Sequence, residues 1–380
     1  MRVEVKPELL RWACERAGFA PDTCVVRFPQ LQAWTTGSAK PTLKQLEKFA
    51  RATYAPVGYL FLDRPPDEPV PVPDFRADPT RRGTRPSANL LDTIYLCQQR
   101  QEWYREFAST TAEAKLPFVG SATVRDSVVA VAAAIRRALR FDLDARARLA
   151  TWSEGLRLFC DQADAAGIMV MCSSVVGSNS HRKLERTEFG GFAMPDELAP
   201  LVFVNGDDTR ARQMFTLAHE LAHVWLGQSA LSDPDVRIAP DDEIEGWCNR
   251  VAAELLVPLD AMRAEYRPRA DLATELARLA KHFKVSTLVV LRRMHDVGGL
   301  ARQAFWKAYE EELERLIAVT KRGGGDFYRT QGARVSPRFQ RAVYVSTWEG
   351  RSSFTEAFRL LGIKKTSTFQ EMGRRLGLEL

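Results

Sequence analysis

The stretch FTLAHELAHVWL, residues 215–226, limits what this chain can fold into more than any other segment. On a helix that turns about 100° per residue, His219 and His223 lie about 40° apart, so both imidazoles can reach one ion. Apolar side chains such as Leu221 and Trp225 lie about half a turn away and can enter a core. The spacing predicts a metal-binding helix, although an amphipathic helix with two chance histidines has the same pattern.

Glu220 lies about 60 to 100° around the helix from the two histidines. That angle does not suit a third ligand, but it suits a side chain that holds a water molecule beside the ion. A glutamate at this place is the general base of the His-Glu-x-x-His zinc peptidases. The chain has five histidines, and we assign no role to His181, His282 or His295 because a lone histidine is more often structural.

A predicted helix over residues 243–257 offers Glu243, Glu245 and Glu254 as a third ligand. Relative to Glu245, Asn249 lies at about 40°, whereas Glu254 points to the opposite side. The face with Glu245 has a polar end and a small middle, so it can press close to the metal helix, and the sequence favours Glu245. Two histidines and one carboxylate leave one zinc position open for water, as a hydrolytic site requires.

Cys248 is an alternative donor near the proposed third ligand. It lies about 60° from Glu245 on the helix, which keeps open a redox-sensitive fourth ligand. We expect the thiol to lie beside the ion and not to face it. A closed site with four protein ligands would be structural, not catalytic.

Composition excludes some classes of protein and leaves others open. The net charge of +6 tolerates nucleic acid, but it is spread along the chain without a long Lys/Arg run. The six cysteines contain no Cys-x-x-Cys pair, so we expect buried thiols in a reducing cytoplasm and no disulfide framework. The N-terminus lacks the apolar stretch of a signal peptide. The sequence also contains no run of about 18 apolar residues that could span a bilayer. The sequence predicts a cytoplasmic protein without membrane contact.

Periodicity and turn residues predict a mainly α protein with a small β-sheet, of the α+β class. Short helices with Gly and Pro turns suggest an N-terminal helix-turn-helix bundle, and a proline-rich segment follows it. The runs GIMVMCSSVVG, GGFAMP and PLVFVNG read as strands of a sheet directly before the histidine helix. The predicted parts are a helix-turn-helix-like domain (1–63), a linker (64–84), a helical scaffold (85–164), a zincin-like peptidase domain (165–300) and a C-terminal extension of unknown role (301–380).

FVNGDDTRARQMFTLAHELAHVWLG followed by EIEGWCNRVAAELLVP resembles the ImmA/IrrE family of zinc metallopeptidases. The resemblance covers most of residues 165–300. It implies that His219, His223 and Glu245 are zinc ligands and that Glu220 is the catalytic base, in agreement with the geometry. Members of this family are associated with cleaving or inactivating helix-turn-helix repressors, and several are linked to toxin–antitoxin systems.

Residues 7–62 are similar to the Xre-type helix-turn-helix domain of longer family members, with Trp34, Gly37 and Pro41 at the familiar places. In place of the usual Gln-x-x-Leu-Ala helix start stands APDTCVVRF. The resemblance implies a recognition helix over FPQLQAW, with Gln30 and Gln32 as base contacts and Lys40 at a phosphate. A helical bundle that serves as a scaffold or docks a protein is the alternative.

Two functions remain. The first is a cytosolic zinc endopeptidase whose substrate is a regulatory protein, such as a helix-turn-helix repressor of phage, mobile-element, toxin–antitoxin or stress regulation. The second is a DNA-binding regulator or toxin–antitoxin component in which the zinc site is structural or sensory.

Overall fold

The computed structural model describes residues 1–72, 86–232, 243–320 and 334–378. These residues form a mainly helical structure with one small sheet, which confirms the predicted fold class. In chain order the first helices are α1 (Pro7–Arg16), α2 (Pro21–Arg27), α3 (Leu31–Thr35), α4 (Leu43–Ala52), α5 (Ala88–Thr110), α6 (Val128–Leu139), α7 (Leu143–Ala147) and α8 (Trp152–Ala165). They are followed by α9 (Arg210–Leu226), α10 (Glu243–Leu256), α11 (Leu259–Glu265), α12 (Leu272–Phe283), α13 (Thr287–Asp296), α14 (Arg302–Thr320), α15 (Pro337–Trp348), α16 (Phe354–Leu361) and α17 (Thr366–Arg375).

The chain divides into two compact units. One comprises Met1–Pro71 and the start of α5 as far as Tyr95, and the other holds the described residues from Leu96 onward. Of the predicted linker, residues 64–72 form neither helix nor strand, and 73–84 lie outside the described residues. The predicted limits within the second unit stay predictions.

In the first unit, short helices surround a small apolar core that includes the fully buried Leu9, Leu46 and Phe49. Cys14 on α1 and Cys24 on α2 form a disulfide, with their Cα atoms 6.4 Å apart. The prediction of free thiols is therefore wrong for these two residues. A tight turn brings α2 back beside α1, which sequence spacing did not show. The other four cysteines form no disulfide.

A four-stranded sheet with the order β1-β3-β2-β4 supports the histidine helix. The strands are β1 (Met169–Ser173), β2 (Gly191–Met194), β3 (Leu201–Asn205) and β4 (Ala230–Ser232). β3 pairs in parallel with β1 and antiparallel with β2, which in turn pairs antiparallel with β4. Every residue of the four strands is buried, so the sheet is covered on both faces.

Helix α9 lies at the centre of the second unit. It packs on β2 and β3, and α8 and α10 also pack against it. All residues from Gln213 to Leu226 are therefore buried, whereas the sequence predicted only one buried face. Small residues permit this close packing, because Ala218 and Ala222 are both fully buried within the helix.

Three arginines from different helices hold the C-terminal end of α10. Arg136 of α6, Arg146 of α7 and Arg293 of α13 donate to the main-chain carbonyls of Glu254, Leu256 and Val257, respectively. The last carbonyls of a helix accept no hydrogen bond from within the helix. Cations near them stabilise the helix because its dipole places partial negative charge at this end. Arg293 also forms a buried ion pair with the Glu254 carboxylate. This network fixes the helix that carries the predicted third ligand.

The C-terminal helices pack on the rest of the second unit through polar and aromatic contacts. Asp164 at the end of α8 accepts hydrogen bonds from the Ser336 hydroxyl and from the Arg338 backbone N–H, the latter at 2.9 Å. The Arg338 guanidinium donates to the Tyr104 hydroxyl at 2.6 Å and pairs with Glu113 at 2.5 Å. These contacts place the start of α15 against α5 and α8.

None of the helices among the described residues is both long enough and apolar enough to cross a membrane.

We expect Arg293→Met to lower the free energy of unfolding by about 3 kcal/mol or more, because it leaves the buried Glu254 carboxylate without its cation. Urea unfolding followed by circular dichroism measures this change. Arg292→Met is the matched control, since Arg292 is 41% exposed and its pair with Asp296 should contribute under about 1 kcal/mol. If the two variants were equally stable, Arg293 would not anchor α10 as the structure indicates.

Candidate metal centre

Helices α9 and α10 bring the three predicted metal ligands together. One ligand atom each from His219, His223 and Glu245 lies within 4.8 Å of the others. The Nε2 atoms of the histidines are 3.1 Å apart, and the Glu245 carboxylate oxygens lie 3.2 Å from His219 Nε2 and 3.1 Å from His223 Nε2. The two histidines and the glutamate thus meet at one point from two helices, as the sequence predicted.

These distances fit a tetrahedral metal ion. Zinc with ligands at about 2.0 to 2.2 Å separates its ligand atoms by about 3.3 Å, close to the spacing of the three atoms. A pair of imidazoles with a carboxylate is also a donor set that zinc accepts. The residues present therefore fit a zinc ion.

Asn249 orients the first histidine. Its Oδ1 atom lies 2.9 Å from His219 Nδ1. An amide oxygen only accepts hydrogen bonds, so the proton of neutral His219 is on Nδ1 and the lone pair of Nε2 faces His223 and Glu245. The sequence placed Asn249 near Glu245 on α10, but no role was predicted for it. Its position four residues after a predicted ligand, on the same face of the helix, was the feature that could have indicated the role.

The electrostatics of Glu245 suit an ionised ligand. Burial raises the pKa of its carboxyl group, but His219 and His223 outweigh that effect when their imidazoles are protonated, through charge and hydrogen bonds. The net result is a pKa below the ordinary value for glutamate. The carboxylate is therefore negatively charged where a cation would lie.

Glu220 occupies a different environment beside the ligands. Burial raises its pKa well above the ordinary value, and the negative charge of Glu245 raises it further, while the Ser232 hydroxyl opposes part of the rise. Neither carboxylate oxygen forms a hydrogen bond of ordinary geometry with a described residue. The side chain thus has unused acceptor capacity close to the three ligand atoms.

Gly191 allows the sheet to approach Glu220. A Cβ atom at this position would lie 2.7 Å from Phe203 O, 2.7 Å from Thr216 Cγ2 and 3.2 Å from Glu220 Oε1. Only a residue without a side chain lets β2 and α9 lie this close. The sequence predicted only a strand from GGFAMP. It did not predict this contact, because a glycine in a sequence does not indicate which residue of another element packs against it.

The remaining candidate donors lie elsewhere. Glu254 pairs with Arg293 on the opposite side of α10, as its helical angle predicted, and Glu243 is exposed at the start of the helix. Among the described residues, neither Cys248 nor any other histidine belongs to the group of ligand atoms. The redox-sensitive fourth ligand is therefore absent from this cluster.

The predicted nucleic-acid residues belong to the first unit, and the structure does not test their role. The helix over this segment is α3, which has five residues and is shorter than the predicted FPQLQAW. Gln30 precedes it and accepts a hydrogen bond from Gln45, whereas Gln32 is exposed within it. Lys40 forms an exposed ion pair with Glu4 at 2.9 Å. Base contacts by Gln30 and Gln32 and a phosphate contact by Lys40 stay predictions.

Comparison with known proteins matches the metal-binding part of the chain. Residues 163–295 match the model of the M78 peptidase family, described as an IrrE N-terminal-like domain. The chain is also similar to the radiation response metalloprotease IrrE of Deinococcus deserti, with 32% identity over 121 residues. That alignment covers 27% of this chain and 42% of the relative, so it spans less than half of the relative's length.

A second family model matches the C-terminal helices. It covers residues 335–375 and is described as a domain of unknown function. The matched segment contains α15, α16 and α17.

We expect Asn249→Ala to weaken zinc binding by about 10- to 100-fold, because His219 loses the partner that orients its ring. Competition with a chromophoric chelator measures the affinity. Arg250→Ala is the matched control on the same helix, since Arg250 is exposed. Unchanged affinity in Asn249→Ala, with the fold intact by circular dichroism, would contradict the orienting role.

Proposed function

We propose that this chain, whose residues 163–295 form an IrrE-like metallopeptidase domain of the ImmA/IrrE family, is a zinc-dependent endopeptidase that cleaves a regulatory protein. The observation that carries the proposal is the meeting of three electron-rich atoms from His219, His223 and Glu245 beside an unpartnered carboxylate. Three ligands leave a tetrahedral ion one position for water, which distinguishes a hydrolytic site from a closed structural one.

Each residue of the site has one role in the proposed reaction. His219, His223 and Glu245 would hold the zinc ion, and Asn249 keeps the lone pair of His219 directed toward it. When bound, zinc lowers the pKa of a water molecule and polarises the carbonyl of the scissile peptide. Glu220 accepts a proton from the attacking water and passes it to the leaving amine, which is general base and then general acid catalysis.

The environment of Glu220 supports this assignment. A buried carboxyl with a raised pKa holds its proton until a cation or an opposite charge stabilises the ionised form. Beside a bound divalent cation the Glu220 carboxyl would ionise and be available as a base. The absence of a fixed hydrogen-bond partner among the described residues leaves both oxygens available to water.

The burial of the site adds a requirement to the proposal. His219, Glu220 and His223 are 0% exposed and Glu245 is 4% exposed. A peptide substrate cannot reach atoms at this depth without movement of neighbouring structure. We therefore propose that the site opens to admit its substrate, as many enzymes do by loop motion.

The regulatory substrate rests on resemblance to the family. The name of the relative describes a metalloprotease of the radiation response. The association with helix-turn-helix repressors comes from the family that the sequence resembles. We propose a transcription regulator as the substrate, in phage, mobile-element, toxin–antitoxin or stress regulation, and action in the cytoplasm. DNA contact through the N-terminal unit at Gln30, Gln32 and Lys40 is part of this proposal.

The second candidate is a regulator in which zinc has a structural or sensory role. A structural zinc site is normally closed by four protein ligands, and the described residues supply three in one cluster. The unpaired Glu220 beside them has no purpose in a structural site. Both features favour the peptidase.

We expect Glu220→Gln to lower the rate of peptide hydrolysis by at least about 100-fold, because the amide cannot accept the proton of water. Zinc content should stay near one ion per chain, since Glu220 is not a ligand. Hydrolysis of a fluorogenic substrate and metal analysis of the same sample measure both quantities. Glu243→Gln, at an exposed glutamate on α10, should keep full activity. An active Glu220→Gln enzyme would remove this residue from the mechanism.

We also expect the zinc-loaded protein to cut purified transcription regulators from the same genome at a small number of sites. Mass spectrometry of the fragments identifies the bonds. Samples with Glu220→Gln, and samples whose zinc has been removed by a chelator, should leave the regulators intact. Cleavage of unfolded peptides without cleavage of any regulator would contradict the proposed substrate class while preserving the peptidase.

A further inference from the structure

The helices near the C-terminus form a basic segment. Residues 335–375 contain eight Lys and Arg against three Glu, a net charge of +5, whereas the whole chain carries +6. A dense basic segment is the electrostatic feature by which proteins approach nucleic acid.

The last two helices of this segment are connected as in a helix-turn-helix. Helix α16 ends at Gly362, whose positive φ of 67° closes the helix in the left-handed conformation. A short turn through Lys364 and Lys365 leads to α17, which has ten residues. A pair of helices joined by a turn of three to four residues that contains glycine is the unit that places a second helix in a DNA groove.

One side of α17 is fixed to its own module. Phe369 is fully buried, and its ring stacks on Tyr344 of α15 with centroids 4.8 Å apart. Phe354 and Phe358 of α16 also contact the Phe369 ring. A Cβ atom at Gly373 of α17 would overlap the ring of Tyr344 of α15, so α15 and α17 lie in close contact. The helix is therefore held rigidly by one face.

The opposite side of α17 is free of this core and carries polar side chains. Six of its ten residues are exposed, namely Thr366, Ser367, Thr368, Gln370, Arg374 and Arg375. Hydroxyl groups and basic residues bind phosphate, whereas Gln and Arg can form paired hydrogen bonds with adenine and guanine. Arg374 and Arg375 both pair with Glu371, but these pairs are exposed and weak enough for phosphate to displace them.

Two other pairs of consecutive helices in the described residues do not offer such a face. Helix α13 follows α12 after a short turn and has ten residues, but most of them are buried or half-buried. In the N-terminal unit, α3 has five residues and presents a short surface. Helix α17 combines a length of ten residues with an exposed basic face, whereas α13 is largely covered and α3 is short.

We propose that α17 binds in the major groove of duplex DNA, with Gln370 and Arg374 at base edges and Lys364 and Lys365 at phosphates. The net charge of +5 complements the phosphate backbone, and the polar face lacks the large apolar side chains that anchor most protein interfaces. Duplex RNA does not suit the helix, because its major groove is too narrow. The proposal is independent of the peptidase activity.

The first test measures affinity for a short fluorescent duplex of random sequence, using the full chain. Lys364→Glu combined with Lys365→Glu should weaken binding at low salt by at least about tenfold and reduce the salt slope by about 2. Arg302→Glu combined with Lys307→Glu is the matched control, with the same change of net charge at exposed residues of α14. Circular dichroism verifies that both variants keep their helical content.

Equal DNA affinity of the two double variants would overturn the proposal, and so would binding of duplex RNA as tight as that of duplex DNA. Loss of affinity confined to the α17 double variant supports it.

The second test selects preferred sites from a pool of random duplexes. The parent protein should enrich a motif, and Gln370→Ala should lose preference at one position of it, whereas Gln32→Ala in the N-terminal unit should keep the full motif. Failure of the parent to enrich any motif would overturn base reading by α17. A motif altered by Gln32→Ala and kept by Gln370→Ala would place base reading in the N-terminal unit and also overturn it.

Discussion

The structure depends on the close packing of α9 against α10, because this contact must hold three electron-rich atoms close enough to share one metal ion. Two histidines and a carboxylate repel one another unless a proton or a cation lies between them. The fold supplies the opposing force through small residues and buried cations. Ala218 and Ala222 let neighbours approach α9, Gly191 lets β2 do the same, and Arg293 anchors the far end of α10. The site is thus a product of packing as much as of ligand identity.

Local periodicity predicted the parts of the site that lie on single helices. His219, Glu220 and His223 belong to one turn of α9, so their relation follows from helix geometry, and Glu245 could be preferred over Glu254 from angles on α10. The sequence could not show contacts between separate elements. The hydrogen bond from Asn249 to His219 and the approach of Gly191 to Glu220 depend on how α9, α10 and β2 pack. Complete burial of α9 was missed because its pattern admits one apolar face and does not report what covers the other.

The C-terminal helices show a different limit of sequence interpretation. Residues 335–375 mix aromatic, hydroxyl and basic side chains, and the sequence predicted only an extension of unknown role over residues 301–380. The stabilising contacts join aromatic rings of three different helices, with Phe369 at their centre, and contacts between separate helices do not follow from the spacing within one helix. If both proposals hold, one chain contains a peptidase and a DNA-binding helix. Regulators bound near the same DNA site would then meet the peptidase at a raised effective concentration.

The hydrogen bonds that Asp164 accepts from Ser336 and Arg338 limit how the chain can be divided into recombinant fragments. A fragment cut to the matched segment 163–295 would retain every proposed metal ligand but discard the partners of a carboxylate that is mostly shielded from water in the intact chain. It would also uncover the part of β1 against which α15 packs. Recombinant fragments that end after α13 should therefore be poorly soluble, and the sequence limits of a homologous family need not be the limits of an autonomous folding unit.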